Sequence, residues 1–212
     1  MSKIVASLWM LTVEQLRDRI GSIEPTPGGG SASIVAGTLG VASIHKGVVV
    51  SLKKLAANSA RYSSLSDLSS KTSALMSVLS ELADVDSRAF QSYLEASALP
   101  RTTESEKLVR QDARQTALVR ATRVPLEAAI AMGRGMKFAE EGVGLVDAHV
   151  RSEVLTGVIL LRASIRSVLL NVDANLSGIS DASLRDVLKQ QRDKLERDAV
   201  VPADTVASQI QT

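Results

Sequence analysis

Residues 27–47 read Pro27-Gly-Gly-Gly-Ser31-Ala-Ser-Ile-Val-Ala-Gly37-Thr-Leu-Gly40-Val-Ala-Ser-Ile-His-Lys-Gly47, and this run decides the fold. The proline and three glycines stop whatever precedes them, and a long apolar helix is expected from about Ser31 to Asn58. Along it Ser33, Gly37, Gly40, Gly47 and Ser51 recur at steps of three and four, with Ile44 completing the row. One face is therefore nearly bare backbone. Glycine costs about 1 kcal/mol inside a helix, so such a row implies that another helix approaches closely and that this one is central. The stretch from Ile34 to Leu52 is long enough to suggest a membrane span, but His45 and Lys46 in its middle would be expensive in lipid. A buried helix of a soluble protein is expected instead.

Helical periodicity extends outward in both directions. Upstream, Leu8, Leu11, Leu16 and Ile20 form the stripe of a first helix from about Ser7 to Gly21. The apolar stretch Ile4 to Val13 follows Lys3 but lacks a small-residue cleavage site and runs straight into Glu14, Arg17, Asp18 and Arg19, so it is expected to belong to the first helix and not to an export signal. Downstream, a third helix from about Leu65 to Ala98 is closed by Pro100. Thr103 followed by Glu106 fits a capping box opening a fourth, which continues towards Thr122. Pro125 opens a fifth that ends around Gly142 and Gly144. The sixth, Ser152 to about Leu176, is apolar on most sides and must be internal; the last, Ser180 to Arg197, is strongly charged. No strand alternation competes and no internal repeat is found. The expectation is an all-α fold, an orthogonal or up-down bundle of about seven helices, with residues 1–198 as one domain and 199–212 as a polar tail beginning around Pro202.

Composition agrees. Of the 212 residues, 45% are hydrophobic and 23% charged, which gives one ordinary domain a real core. The aromatics are only Trp9, Tyr62, Phe90, Tyr93 and Phe138, so the core is built from small and aliphatic side chains, favouring helices over a sheet. Without cysteine, disulfides, thiolate metal sites and a Cys nucleophile are excluded together. The two histidines, His45 and His149, have no metal-ligand spacing, and no metal is expected. A net charge of +2 from 25 basic and 23 acidic residues, with no basic block, gives no footing for nucleic acid. Lack of an export signal and of cysteine points to the cytoplasm, with no membrane partner.

Asp86 is the residue that breaks pattern. The third helix carries the stripe Leu75, Val78, Leu79, Leu82, Asp86, Ala89, Phe90 and Tyr93, and the stripe asks for an apolar side chain where the carboxylate stands. A buried carboxylate needs donors or a cation, or its pKa rises. On spacing alone, a structural Asp that pairs with an Arg or caps a neighbouring helix and an acid/base group remain alternative readings. Asp84, two positions earlier, points elsewhere, into solvent. The turn Pro27-Gly28-Gly29-Gly30-Ser31 precedes a helix, whose free N–H groups can receive an anion or a carbonyl oxygen. It is neither a Walker loop nor a dinucleotide fingerprint, and a flexible turn is its other reading. Lys107, Arg110 and Arg114 share one face of the fourth helix, with Gln115 beside them: a solvated stripe or a grip for an acidic tail. Glu153, Gly157, Ser164, Ser167, Asn171 and Asn175 make a polar face on the sixth helix. Glu153 and Asn171 stand roughly 27 Å apart along it, too far to share one small site in a single subunit. His149 lies just before that helix.

The order of these features resembles the cyclodeaminase/cyclohydrolase family. The likeness runs from Pro25-Thr-Pro-Gly-Gly-Gly-Ser31, with Ala36-Gly37 and Gly40 behind it, to Asp86 through Phe90 with Leu99-Pro100. It continues at Lys107, Arg110 and Gln115 ahead of Ala121 and Val124-Pro125-Leu126, then at Ser152, Asn171-Val172 and Asn175-Leu176, covering about residues 8–182. The resemblance implies an all-helical homodimer with a folate pocket near the subunit contact, no permanently bound cofactor, and a tetrahydrofolate derivative as substrate. The implied chemistry is hydrolysis of the 5,10-methenyl ring to 10-formyltetrahydrofolate. The runner-up is cyclodeamination, in which N10 attacks an N5-formimino carbon and ammonia leaves. The resemblance assigns catalysis to Asp86 and Gln115, and substrate binding to Pro27, Gly28, Gly29, Gly30, Ser31, Lys107, Arg110, His149, Ser152 and Glu153. The chain departs from the family pattern at Glu153, where aspartate is usual, at Asp147 and His149, where asparagines are usual, and in the segment from Val50 through Lys53-Lys54 to Arg61-Tyr62. A relative that has lost catalysis and binds another small molecule or a protein is the remaining alternative.

Overall fold

The computed structural model describes residues 7–198; the expected polar tail at 199–212 lies outside the described residues. Six α-helices follow in order: α1 Val13–Ile20, α2 Gly29–Leu52, α3 Ala60–Ser97, α4 Glu104–Val143, α5 Arg151–Leu176 and α6 Ala182–Asp198. Two 3-10 turns, Leu8–Met10 and Ala148–Val150, precede α1 and α5. The described residues contain no strand. The helices begin where short polar side chains can hold the first amides. Thr12 with Gln15 and Thr103 with Glu106 form reciprocal capping boxes, and Ser59 accepts the Tyr62 amide.

The core is a four-helix arrangement in which α2 and α4 each pack against both α3 and α5. Its largest fully buried side chains are aliphatic or methionine, among them Ile34, Ile44, Leu65, Leu79, Met132 and Leu161. The row of small residues on α2 does what its spacing implies. A Cβ on Gly40 would lie 2.9 Å from the Gly157 carbonyl oxygen of α5, and one on Gly157 would strike Gly40 and Ile44 in return. Gly37 gives way to Met132 of α4 and Ser164 of α5, and Gly47 to Val154. Among the described residues α2 is the one helix long and apolar enough to cross a membrane, and half of its most apolar stretch is buried inside the chain.

Three expectations need correction. The first helix is broken: the Leu8–Met10 turn ends at Leu11, which is extended, and Thr12 caps α1 afresh. That turn is clamped to α3: the Leu8 amide donates to Asp84 Oδ1 at 2.8 Å and the Trp9 indole to the Ser80 carbonyl at 2.9 Å. Asp84 is thus a structural acceptor and not a solvated group. The expected fourth and fifth helices are one, α4, which runs through Pro125 without ending, so six helices stand where about seven were expected. Pro125 has no N–H to offer the Ala121 carbonyl four residues back. That oxygen instead accepts the Asn175 side-chain amide of α5 at 3.2 Å, so the vacancy left by proline becomes a tie between helices.

Candidate functional site

The N-terminus of α2 opens into a cavity of about 310 Å³, lined by Thr26, Gly28–Ser31, Asp86, Phe90, Asn171 and Asn175 among others. Gly28, the N-cap, has no side chain with which to cover the first amides of α2. Asp86 reaches across from α3 to do part of that work. Its Oδ2 accepts the Ser31 hydroxyl at 2.8 Å, and the carboxylate also accepts the Ser31 backbone amide. Gly30 lets the acid come this close, since a Cβ there would lie 2.6 Å from Asp86 Oδ2. Burial pushes the Asp86 carboxyl above its ordinary range, and the two Ser31 bonds only partly counter the shift. No ion pair to Asp86 is formed within the described residues.

Of the readings left open for Asp86, the structure shows the capping one, with Ser31 and not an arginine as the partner. It helps cap α2, and it is also an incompletely solvated acid facing a cavity beside helix amides. That arrangement can exchange a proton with a ligand and stabilise positive charge on it, while the α2 amides receive a developing oxyanion. Other elements frame it. Ser33 donates to the Gly29 carbonyl at 2.6 Å and meets Ser167 Oγ at 2.7 Å, fixing the start of α2 against α5. Asn175 is held by Ala121, whereas Asn171 makes only 3.4 Å contacts to the Ser167 and Val168 carbonyls of its own helix. Among the described residues no group of three His, Asp or Glu converges on one point as a metal site would need.

The structure gathers Gly28, Gly29, Gly30, Ser31 and Asp86, with Pro27 in the same turn, and leaves the other expected residues elsewhere. Gln115 is spent on the turn between α5 and α6: its amide donates to the Gly178 carbonyl at 2.9 Å, and its oxygen accepts the Ser180 amide and hydroxyl at 2.9 and 3.0 Å. Lys107 is exposed and paired with Glu104 at 2.6 Å. Arg110 donates to the Ser97 carbonyl at the end of α3, and Arg114 to Ser97 Oγ and Tyr93 Oη. Arg114 also lies over the Tyr93 ring, whose neighbour Phe90 lines the cavity. The guanidinium holds the Tyr93 hydroxyl below its ordinary pKa.

Ser152, Glu153 and His149 sit at the opposite end of α2, roughly 22 Å from Ser31 by the rise from there to Lys46. Glu153 pairs with Lys46 at 2.6 Å, which holds its carboxyl below the usual range, and it accepts from Ser43 at 3.4 Å. His149 lies 3.2 Å from Lys54, and Asp147, bound by Arg61 at 2.7 Å, is likewise depressed. Conversely, Asn171, Asn175 and Thr26 line the cavity although none was expected as a site residue. The two asparagines stood on the polar face of α5, and their one-turn spacing was the available signal.

The family model described as formiminotransferase-cyclodeaminase matches residues 12–194. A methenyltetrahydrofolate cyclohydrolase of Methylorubrum extorquens is 30% identical over 177 residues, covering 82% of this chain and 84% of that protein. A formimidoyltransferase-cyclodeaminase of Gallus gallus is 28% identical over 182 residues; these are 85% of this chain but only 33% of that longer protein. The crystal structure of a formiminotetrahydrofolate cyclodeaminase from Thermotoga maritima superposes with a TM-score of 0.84 over 96% of this chain and 98% of that one, at 21% identity, and so shares the fold. With the match running from α1 to α6 and taking in both the glycine turn and the acid it faces, the chain belongs to the formiminotransferase-cyclodeaminase family.

Proposed function

We propose that this protein is a folate-dependent one-carbon enzyme that hydrolyses 5,10-methenyltetrahydrofolate to 10-formyltetrahydrofolate. The observation that carries the reading is the buried Asp86 carboxylate, without a cation of its own, facing a cavity at the uncapped start of α2. The cyclohydrolase relative, matched along most of both chains, supports the choice of reaction.

In this reading the cationic methenyl carbon sits beside ionised Asp86, which stabilises it. A water adds to that carbon, and Asp86 takes one of its protons. The tetrahedral carbinol then collapses: the hydroxyl oxygen becomes the formyl carbonyl, the carbon–N5 bond breaks, and N5 takes the proton back from Asp86. One proton is released overall. The amides of Gly29 and Gly30 receive the oxygen as charge gathers on it. The cavity has room for a pteridine ring and its one-carbon bridge, so the glutamate tail runs outward past Phe90 to Arg110 and Arg114 at the end of α3. Gln115 does not touch the substrate here; it holds the α5–α6 turn. The substrate brings the one-carbon unit itself, so the proposal includes no resident cofactor. A homodimer and a cytoplasmic location complete it.

Loss of methenyl absorbance is the test. The wild-type chain is expected to outpace buffer, and Asp86→Asn to lose about 10²-fold or more, the usual worth of a positioned acid/base group. A wild-type rate equal to buffer, or an unaffected Asp86→Asn variant, overturns the reading. Ammonia release from 5-formiminotetrahydrofolate distinguishes the cyclodeaminase reaction.

A further inference from the structure

The α5 wall of the Asp86 cavity presents unspent acceptors. Asn171 and Asn175 stand one turn apart on one face of α5 and both line the cavity, with Cβ atoms about 5–6 Å apart. Each carboxamide has an NH2 that donates and an oxygen that accepts. The Asn175 NH2 is committed, because the Ala121 carbonyl that it meets at 3.2 Å can only accept. Pro125 leaves that carbonyl without its helical donor and so keeps it available. The opposite end of the side chain, Oδ1, is thereby turned away from Ala121 and receives no donor among the described residues. It is not a buried orphan, so it stays open to whatever enters.

Asn171 is held less firmly. Its NH2 lies 3.4 Å from the Ser167 and Val168 carbonyls, which already accept the Asn171 and Val172 amides within α5. Contacts of that length beside occupied acceptors fix little, and both ends of this amide are free to turn to a ligand. The α2 wall offers the reverse chemistry. Ser31 is spent on Asp86, but the amides of Gly29 and Gly30 have no side chain capping them. A ligand that satisfies both walls carries N–H groups along one edge and gathers charge on an oxygen at the other.

We infer that Asn171 and Asn175 select the substrate by its 2-amino-4-oxopyrimidine edge. Asn175 Oδ1 accepts the exocyclic amino group. Asn171 pairs with the neighbouring ring amide, its oxygen accepting the ring N–H and its NH2 donating to the ring carbonyl. Adjacent groups on one edge of a ring match two side chains one turn apart on a helix. The assignment rests on the folate reading and deepens it: with the pyrimidine held at α5, the N5–N10 bridge points to Asp86 and the α2 amides. Recognition and proton transfer then use different walls, and the two asparagines are positioning residues. Asp86 is the rival acceptor for the amino group. Its bonds to Ser31 place it with α2 instead.

A pair of ligands tests this. Binding of 5-formyltetrahydrofolate, a stable reduced folate, is compared by calorimetry with binding of its 2-desamino-2-methyl analogue, which keeps the ring amide and the shape but lacks the amino N–H. Wild type is expected to prefer the amino compound by about tenfold or more, since the analogue sets a methyl group against a carboxamide oxygen. Asn175→Ala is expected to bring that ratio near unity, whereas Asp86→Asn keeps it. Because Asn175→Ala also strands the Ala121 carbonyl, the same measurement is made on Pro125→Ala/Asn175→Ala, where the helical donor is restored; the preference is expected to stay lost in this sounder fold. Asn171→Leu, of similar volume, is expected to weaken both compounds alike, by about tenfold. With the methenyl substrate, the α5 variants are expected to raise KM far more than they lower kcat, and Asp86→Asn to do the opposite. A wild type that binds both compounds equally, a preference undiminished in the double variant, or one abolished by Asp86→Asn overturns the role of Asn175. Undiminished binding in Asn171→Leu overturns that of Asn171. All these results leave the folate reading standing. A wild type that binds neither compound and does not turn over the methenyl substrate removes that reading, and the assignment with it.

Discussion

At Asp86 the same burial that suits the acid to catalysis works against the fold. Its carboxyl is pushed up by desolvation, so the folded chain keeps the proton to higher pH than the unfolded chain does. Stability from this group is full below the ordinary carboxylate pKa of about 3.9 and is lost as pH rises through the folded value. Asp86→Asn is therefore expected to melt higher than wild type at neutral pH, an advantage that closes below about pH 4; thermal melts across pH check it. In the same protein, the acid limb of kcat/KM is expected above the ordinary aspartate range, because the ionised form is the active one. Gly30→Ala brings a Cβ to within 2.6 Å of Oδ2 and has to displace the carboxylate. A displacement of that size is expected to cost about 10²-fold in kcat, with little change in far-ultraviolet circular dichroism. Asp86 was legible because a charge on an apolar stripe is conspicuous. Its position beside the glycine turn, far away in sequence, followed only from the resemblance. Gln115 misled for a physical reason: an amide can be satisfied by backbone groups nearby, and a sequence does not display the turn that claims it.

Between elements, the glycine row on α2 was readable because close approach needs missing side chains, and the 3.6-residue period shows where they are missing together. Gly157→Ala pushes a methyl into Gly40 and Ile44 and is expected to destabilise by about 1–3 kcal/mol, as overpacking does; chemical denaturation measures it. The length of α4 was not readable. A proline ordinarily marks a helix start or stop, and only tertiary context shows a carbonyl that profits from its presence. Asn175→Ala leaves the Ala121 oxygen without either its usual helical donor or the amide. The expected loss is about 1–3 kcal/mol, together with a raised KM, since both residues line the cavity. Restoring the helical donor with Pro125→Ala in the Asn175→Ala background is expected to recover part of that stability.

Across the whole chain, α2 organises two chemically different ends, one acidic and concave, the other rich in lysine and arginine. The sequence resemblance grouped residues from both, and one copy keeps them apart, as the roughly 27 Å rise from Glu153 to Asn171 along one helix requires. The clamp of the Leu8–Met10 turn on α3 has a practical outcome as well. Trp9 is the chain's one tryptophan, and its indole is tied to the Ser80 carbonyl on the helix that bears Asp86. Emission excited at 295 nm therefore reports a single anchored location instead of an average over many. Release of that anchor is expected to shift the emission to the red, so the protein carries its own optical gauge of how firmly its leading turn is seated.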